Sequence, residues 1–258
     1  MDYSKELAFA KKLAQEAGKI IKAEFYEQHD GDMKHDDSPV TVIDKKINEL
    51  VLKGIESEFS GDAFDGEEGK GGDQSSNRVW ICDPIDGTIS FMLSIPACMF
   101  VLGLRVDGVW QVAVAYNPIT EELYEALLGK GAYKNGKLIK VSVASSADRS
   151  FIVIDAKAYR ESPEIVAHLE SDGYQVSGIN GSGAKVMKVA EGLAAGIFRD
   201  NGDYHDIGVC SLIASEAGAK VSSLTGGKFM SNSIELEDGF IIANPVAHAD
   251  ILKAAQST

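Results

Sequence analysis

The chain of 258 residues is long enough to bury a substantial core, as one large domain or two smaller ones. Its net charge of −14 at pH 7 disfavours a nucleic-acid polymer as a partner, because the phosphate backbone would repel it. Three scattered cysteines form no Cys-x-x-Cys pair, which argues against a disulfide framework and for a reducing compartment. The sequence shows neither an apolar signal core nor a segment apolar enough to span a membrane, so we expect a cytoplasmic protein.

The first 73 residues predict two amphipathic helices with polar segments between and after them. Apolar residues recur at helical spacing, and the helices are expected over 7–25 and 44–59. Residues 40–43 are rich in β-branched side chains, which favours a short strand or an extended entry into the second helix. Polar and glycine-containing composition predicts loops at 31–39 and 61–73.

The middle of the chain changes to short apolar runs and a period of two, which is typical of antiparallel strands. The predicted strands cover 97–106, 109–116, 122–128 and 131–133. The dipeptides Asp107-Gly108 and Asn135-Gly136 favour tight hairpin turns. Just upstream, the apolar run 79–82 predicts the end of a buried strand.

After about Val141, strands and helices alternate, which is typical of an α/β arrangement. The predicted strands are 151–154, 196–198, 219–221 and 239–243. The predicted helices are 163–170, 184–191, 206–217 and 245–255. The change of pattern predicts two closely packed halves, residues 1–141 and 142–258.

The most informative stretch is Asp83-Pro84-Ile85-Asp86-Gly87-Thr88. It places two carboxylates three residues apart across a proline-stiffened turn, and a glycine and a hydroxyl follow at once. Hard divalent cations prefer oxygen ligands, and phosphate prefers backbone N–H groups and a metal. Aspartate, proline and glycine are also ordinary turn formers, so the motif alone suits a surface turn equally well.

Three further acidic residues stand in suggestive places. Asp44 and Asp206 open predicted helices, and Glu67 lies in the glycine-rich acidic loop. Helix starts favour acidic residues in any protein, so capping explains Asp44 and Asp206 when each is taken singly. Only the whole set of carboxylates indicates a metal site.

Three separated blocks resemble the inositol monophosphatase family of magnesium-dependent, lithium-sensitive phosphatases. The blocks are Gly66-Glu67-Glu68, Trp80–Thr88, and His205-Asp206 followed by Ser215–Gly218. Their order and spacing fit the family over nearly the whole chain. The resemblance implies a mixed α/β fold, the layered α-β-α-β-α sandwich of the sugar-phosphatase type, and a homodimer.

The resemblance also implies a set of metal ligands. Glu67, Asp83 and the Ile85 carbonyl would hold one Mg²⁺. Asp83, Asp86 and Asp206 would hold a second, with Asp83 bridging, and Glu67 would help to place a third, weaker ion. Two or more cations would neutralise the phosphate dianion and the carboxylates together, and would support hydrolysis by a metal-activated water.

The same resemblance assigns catalytic and substrate-binding residues. Thr88 and Asp44 would form a hydrogen-bonded pair that orients and deprotonates the attacking water. The backbone N–H groups of Gly87 and Thr88 would receive the phosphate. Gly181-Ser182-Gly183 would line the substrate side at a helix start, although Gly-x-Gly alone also suits a tight turn.

Arg199 and Asp200 stand where inositol phosphatases usually carry a glutamate for the sugar hydroxyls. An inward Arg199 would favour a second anionic group on the substrate and disfavour cationic histidinol phosphate, since guanidinium binds phosphate or carboxylate. An inward Asp200 would favour a polyol. A solvated Arg199 at a strand end is the ordinary alternative.

The leading function is therefore Mg²⁺-dependent hydrolysis of a small phosphorylated polyol, with inositol monophosphate first. Fructose 1,6-bisphosphate, a 3′-phosphoadenosine nucleotide and histidinol phosphate are alternatives that keep the same chemistry. A non-catalytic, ion-binding regulatory protein is an alternative from another class, and the retained carboxylates argue against it.

Overall fold

The computed structural model describes residues 1–28, 32–33, 39–148, 150–200, 204–229 and 239–257, with backbone alone at 32–33 and 39–40. The helices are α1 Ser4–Glu24, α2 Val42–Glu58, α3 Thr88–Met92, α4 Ala156–Glu161, α5 Pro163–Asp172, α6 Ser182–Ala190, α7 Val209–Glu216 and α8 Pro245–Gln256. The strands are β1 Asp32–Met33, β2 Pro39–Val40, β3 Ala63–Gly66, β4 Gly69–Gly72, β5 Arg78–Asp86, β6 Met99–Val106, β7 Val109–Asn117, β8 Glu122–Leu127, β9 Ala132–Lys134, β10 Lys137–Ile139, β11 Phe151–Ile154, β12 Gln175–Gly178, β13 Gly196–Arg199, β14 Lys220–Ser222 and β15 Phe240–Ala243. A π-helical turn, Tyr204–Gly208, precedes α7.

Strands β3 to β10 form an eight-stranded sheet in the order β10-β9-β8-β7-β6-β5-β3-β4. Neighbours pair antiparallel except β3 and β5, which run parallel. Both predicted hairpin turns form, since Asp107 and Asn135 take positive φ angles of 50° and 48° and a glycine follows each.

Both faces of this sheet are buried, which explains its long apolar runs. Along β6, Phe100 and Leu102 pack with the apolar side of α1 and α2, whereas Val101 between them packs with α6 and α7. The two-residue period of a strand thus directs alternate side chains into two separate cores.

The second sheet has five strands in the order β12-β11-β13-β15-β14. Its inner face, which includes Ile197 and Ile242, shares the core of α6 and α7. Its outer face packs against α5 and α8 through residues such as Ile165 and Ile251. Helices, sheet, helices, sheet and helices therefore follow one another, and the predicted α-β-α-β-α sandwich is confirmed.

One local prediction near the N-terminus needs correction. Val40 ends a strand and Thr41 forms the extended entry, but the run stops there, because α2 already begins at Val42 with Thr41 as its N-cap. The β-branched side chains misled here because a threonine one turn before an aspartate also forms a capping box. Of the loop predicted at 31–39, residues 31 and 34–38 lie outside the described residues.

The predicted acidic loop at 61–73 contains the β3–β4 hairpin, whose glycines gave no strand signal. Strand β5 also continues through Asp86 instead of ending before Asp83. The sequence missed the strands β1, β10 and β12 and the short helices α3 and α4. The remaining helices and strands lie where they were predicted, to within a few residues at their ends.

The larger sheet comes entirely from residues before 141 and the five-stranded sheet entirely from residues after 150. The core between them draws on both halves: Val101 and Ala113 pack with Val186 and Ile213. The division into 1–141 and 142–258 stays a prediction. Among the described helices, none combines the length and apolar character needed to cross a bilayer.

Candidate active site

Three buried aspartates converge where β5 meets the π-helical turn. Asp83, Asp86 and Asp206 each offer a carboxylate oxygen, and these oxygens lie within 4.8 Å of one another. Asp83 and Asp86 come from one strand, and Asp206 comes from a segment 120 positions further along the chain. The fold therefore brings distant acidic residues to one point.

An irregularity in β5 turns both aspartates to the same side. Asp83 pairs with Val101 and Asp86 with Met99, so three steps along β5 match two steps along β6. Residues three apart on a regular strand point to opposite faces, and the extra residue of a bulge restores a shared face. Pro84 fits this position because it has no N–H to donate to the sheet.

Asp86 is held by the first turn of α6. Its two carboxylate oxygens accept backbone N–H bonds from Ser182 and Gly183, each at 2.9 Å. The positive end of the helix dipole adds to these bonds. Gly183 leaves little space there, since a Cβ atom would lie 3.0 Å from Asp86 Oδ2. Two of the three small residues predicted to line the substrate side thus donate to a carboxylate.

Backbone groups around the bulge form a compact turn. Asp83 Oδ1 accepts the N–H of Ile85 at 2.9 Å, and the Ile85 carbonyl accepts the Thr88 hydroxyl at 3.2 Å. Gly87 takes φ = +81° and precedes α3, and a Cβ there would lie 2.8 Å from the Ala97 carbonyl oxygen. Only glycine adopts this backbone at low cost.

Burial and mutual repulsion disfavour the charged forms of these carboxylates. The pKa of Asp83 lies well above its ordinary value, first because of burial and then because of Glu67, Asp86 and Asp206. Burial raises the pKa of Asp86 to about 6, although Ser182, Lys185 and Gly183 oppose the shift. Positive charge placed among the carboxylates would relieve this repulsion.

The donor set fits a hard divalent cation. The clustered ligand atoms are carboxylate oxygens, and Ile85 and Glu67 line the same cleft. Mg²⁺ prefers oxygen ligands of this kind, whereas softer metals prefer sulfur or imidazole. Glu67 follows β3, where its N–H donates to the Cys82 carbonyl at 3.0 Å and places it beside β5.

The predicted hydrogen bond between Thr88 and Asp44 is not formed. Asp44 Oδ2 instead accepts the Thr41 hydroxyl at 2.6 Å and the Thr41 N–H at 2.8 Å, in a capping box at the start of α2. Asp44 remains near the acidic cluster: burial, followed by Glu68 and Glu67, raises its pKa to about 6. Asp44, which the sequence analysis paired with Thr88, is thus hydrogen-bonded to Thr41.

The acidic cluster forms part of a cleft of about 460 Å³, a volume suited to a small metabolite. The lining residues are Glu67, Asp83, Ile85, Asp86, Gly87, Thr88, Ile89, Ser90, Asp155, Lys157, Asn180, Gly181, Ser182, Lys185, Arg199 and Asp206. Asp44 and Asp200 do not line it, and the Asp200 carboxylate faces Glu161 on α4. Of the pair that sequence left open, Arg199 is the one that faces the cleft.

A second charged group in the cleft was missed by the sequence analysis. Asp155 Oδ2 lies 3.1 Å from Lys185 Nζ and 3.4 Å from Arg199 Nε, and Asp155 Oδ1 accepts the Ala158 N–H at 2.8 Å. Lys185 is fully buried. The position of Asp155, directly after the predicted strand 151–154 and before a helix, was a usable signal, because strand ends in open α/β sheets carry binding residues.

His205 lies behind the acidic cluster. Its Nε2 is 3.6 Å from Asp65 on β3, and the hydroxyl of the preceding Tyr204 donates to the same carboxylate. These contacts link the π-helical turn that carries Asp206 to the strand that leads to Glu67.

Comparison with known proteins agrees with the geometry. The model of the "Inositol monophosphatase family" matches residues 2–258. A histidinol-phosphatase of Chlorobaculum parvum is 36% identical over 160 residues, 61% of each chain. Human inositol monophosphatase 1 is 28% identical over 256 residues, covering 93% of this chain and 91% of the relative.

The fold is also found in a solved structure, the extragenic suppressor protein suhB of Bartonella henselae. The two structures superpose with a TM-score of 0.90 at 22% identity, covering 98% of this chain and 99% of the other. Since the family model spans essentially the whole sequence, the chain belongs to the inositol monophosphatase family, a family of phosphoric monoester hydrolases.

Proposed function

We propose that the protein is a Mg²⁺-dependent phosphomonoesterase that hydrolyses a small phosphorylated polyol by means of a metal-activated water. The observation that supports this most directly is the convergence of Asp83, Asp86 and Asp206 at the wall of a cleft of metabolite size. Carboxylates alone would repel a phosphate dianion, so the cluster suits phosphate only together with cations.

The chain's own residues have distinct roles in this proposal. Asp83, Asp86 and Asp206, with Glu67 and the Ile85 carbonyl, would hold two or three Mg²⁺ ions. When bound, these ions would supply a water of lowered pKa and charge stabilisation for the leaving oxygen. Backbone N–H groups at Gly87 and Thr88 would bind the phosphate, because α3 begins there.

Thr88 and Asp44 would orient the attacking water and accept its proton. In the structure Thr88 donates to the Ile85 carbonyl and Asp44 accepts from Thr41. Catalytic hydrogen bonds often form only in the complex with substrate. A change of the Thr88 hydroxyl rotamer towards Asp44 is therefore part of the proposal.

The candidate substrates are all hydrolysed by the same phosphomonoesterase chemistry. Inositol monophosphate comes first, since the human relative and similar relatives from Xenopus laevis and Solanum lycopersicum are inositol monophosphatases. Fructose 1,6-bisphosphate, a 3′-phosphoadenosine nucleotide and histidinol phosphate are the alternatives, and one relative is a histidinol-phosphatase. We further propose a cytoplasmic homodimer that lithium inhibits, on family grounds.

A phosphate-release assay over these four esters, with Mg²⁺ and with EDTA, tests the proposal. We expect release from at least one ester and none in EDTA. Release from no ester with Mg²⁺ present would contradict the enzyme and favour the non-catalytic, ion-binding protein. Release that is unaffected by EDTA would contradict the metal-dependent chemistry.

A further inference from the structure

One wall of the cleft is cationic although the protein as a whole is strongly acidic. Beyond Glu67 and the three aspartates, the charged residues that line the cleft are Lys157, Lys185, Arg199 and Asp155. Three cations and one carboxylate leave this wall with a net charge of +2. In a chain of net charge −14, such a local excess of positive charge needs a reason.

The positions of Lys185 and Arg199 are fixed by Asp155. This carboxylate caps α4 and contacts both Lys185, from the first turn of α6, and Arg199, at the end of β13. The pKa of Asp155 is lowered in spite of burial, by Lys185, the Ala158 N–H and Arg199. A guanidinium has five N–H donors, so Arg199 can contact Asp155 and a ligand oxygen at the same time.

Lys157 extends the cationic wall towards solvent. Its side chain is about half exposed, and Nζ lies 3.8 Å from Glu161 one turn further along α4. Such an exposed pair is weak, so the ammonium can turn towards an anion in the cleft. Lys185, by contrast, is buried against Asp155 and serves to hold the wall together.

We propose that Arg199 and Lys157 form a subsite for a second anionic group, so that the substrate is a phosphomonoester that carries another phosphate or a carboxylate. This inference rests on the proposed function, because the scissile phosphate is taken to lie at the acidic cluster. The subsite selects a sugar or polyol bisphosphate over the matching monophosphate, and so places fructose 1,6-bisphosphate ahead of the inositol monophosphate that the names of the relatives favour. It also disfavours histidinol phosphate, whose ammonium group would lie near these cations.

The test compares kcat/KM for fructose 1,6-bisphosphate and fructose 1-phosphate, which differ only in the second phosphate, and for the matched pair inositol 1,4-bisphosphate and inositol 1-phosphate. We expect the bisphosphate to be preferred at least 10-fold in one pair. Arg199→Gln should reduce that preference by about 10- to 100-fold, as expected for loss of a charge-assisted hydrogen bond. Lys157→Gln should reduce it less.

Arg160→Gln on the same helix is the matched control, since Arg160 is exposed and does not line the cleft. A preference for the monophosphate in both pairs, or a preference that Arg199→Gln and Lys157→Gln leave unchanged, would overturn the subsite. If loss of the Arg199–Asp155 contact impairs folding of Arg199→Gln, the Lys157→Gln variant still tests the subsite. The Lys157 side chain is about half exposed, so its replacement should leave the fold intact.

Binding measured without turnover separates this inference from the proposed function. Calorimetric titration of each pair in Ca²⁺ should show tighter binding of the bisphosphate in the wild type and a smaller difference in Arg199→Gln. If no ester is hydrolysed in Mg²⁺ yet this difference in affinity persists, the enzyme proposal fails and the subsite stands. Equal affinities in the wild type would remove the subsite even if hydrolysis occurs.

Discussion

At the scale of single residues, the environment of Asp86 decides what this carboxylate can do. Both of its oxygens accept N–H bonds, and two other carboxylates lie close by. The hydrogen bonds fix its position and favour its charged form, whereas burial, followed by the charge of Glu67, disfavours that form. A cation bound among these carboxylates would favour the charged form of Asp86.

Replacing Asp86 with asparagine tests that role. The side-chain amide has one acceptor oxygen, so it cannot accept the N–H groups of both Ser182 and Gly183. The substitution also removes a charged metal ligand. We expect turnover to fall at least 100-fold. Replacing a residue that only hydrogen-bonds to a metal ligand already lowers metal affinity or activity by about 10- to 100-fold. Mg²⁺ affinity should fall in parallel, measured by titration calorimetry and by steady-state kinetics.

The fold of Asp86→Asn should survive, since loss of one negative charge relieves repulsion in the metal-free cluster. Circular dichroism checks this, and exposed Asp73→Asn serves as control because its carboxylate accepts hydrogen bonds from the neighbouring Ser75 and does not line the cleft. Wild-type turnover in Asp86→Asn would contradict the assignment of Asp86 as a metal ligand.

Thr41 caps α2 and also hydrogen-bonds to Asp44, a proposed catalytic residue. Its hydroxyl donates to Asp44 and accepts from the first N–H groups of α2. Thr41→Ala should lower the free energy of unfolding by about 1–2 kcal/mol through loss of the cap. Thr41→Ser keeps the hydroxyl and should stay close to wild type in urea unfolding; equal losses in both variants would show that the methyl group matters instead.

At the scale of elements, the contact of α6 with β5 sets the geometry of the metal ligands. Gly183 allows the helix to approach Asp86, and a Cβ would also lie 3.3 Å from Cys210 Sγ on α7. Gly183→Ala should therefore push α6 away from β5 and weaken both N–H bonds to Asp86. We expect a drop in Mg²⁺ affinity and in kcat of about 10-fold, a size typical of changes around metal ligands.

Gly178→Ala, on β12, is the matched control because no atom lies within 4 Å of its added Cβ. Kinetics at several Mg²⁺ concentrations distinguish the two. Full activity of Gly183→Ala at low Mg²⁺ would show that α6 can shift without cost.

At the scale of the whole molecule, the acidic cluster makes the stability of the metal-free protein depend on pH. Asp44 and Asp86 have a folded pKa of about 6 against an ordinary 3.8. Between these values the folded state binds more protons than the unfolded chain, so the free energy of unfolding falls as pH rises. Asp65 and Asp155, whose pKa values are lowered, act in the opposite direction only below about pH 4.

Thermal unfolding in EDTA should therefore give a higher Tm at pH 5 than at pH 7.5 from these groups. Mg²⁺ should raise the Tm more at pH 7.5 than at pH 5, because protons compete with the cation for the same oxygens. The pH dependence in EDTA should be flatter in Asp86→Asn. A Tm response to Mg²⁺ that is equal at both pH values would contradict the cluster as the binding site.

The shared core predicts that the two halves unfold together. Ile213 on α7 is fully buried among residues of both halves, and Ile213→Ala should cost about 2–5 kcal/mol. Both tryptophans, Trp80 and Trp110, lie in the first half. Tryptophan fluorescence and far-UV circular dichroism should nevertheless give coincident transitions, with exposed Leu193→Ala as a near-neutral control. Separate transitions would make the halves independent domains.

Local patterns in the sequence were enough for most elements and for the choice of carboxylates. Helical and alternating periodicities, Asp-Gly and Asn-Gly turns and the motif at Asp83–Thr88 are short-range signals, and they depend on neighbours within a few residues. The layered fold followed from the resemblance of three blocks. Errors arose where two local signals compete, as at residues 40–43, where β-branched side chains also stand at a helix cap.

What only the tertiary structure decided are contacts between distant segments. The N–H bonds from α6 to Asp86 and the choice between Arg199 and Asp200 depend on how separate elements pack. The cationic wall around Asp155 is of the same kind, since Lys185 and Arg199 reach it from a different helix and strand. The sequence determines which side chains are present, whereas the distances between them and their burial determine their protonation, their hydrogen-bond partners and their orientation.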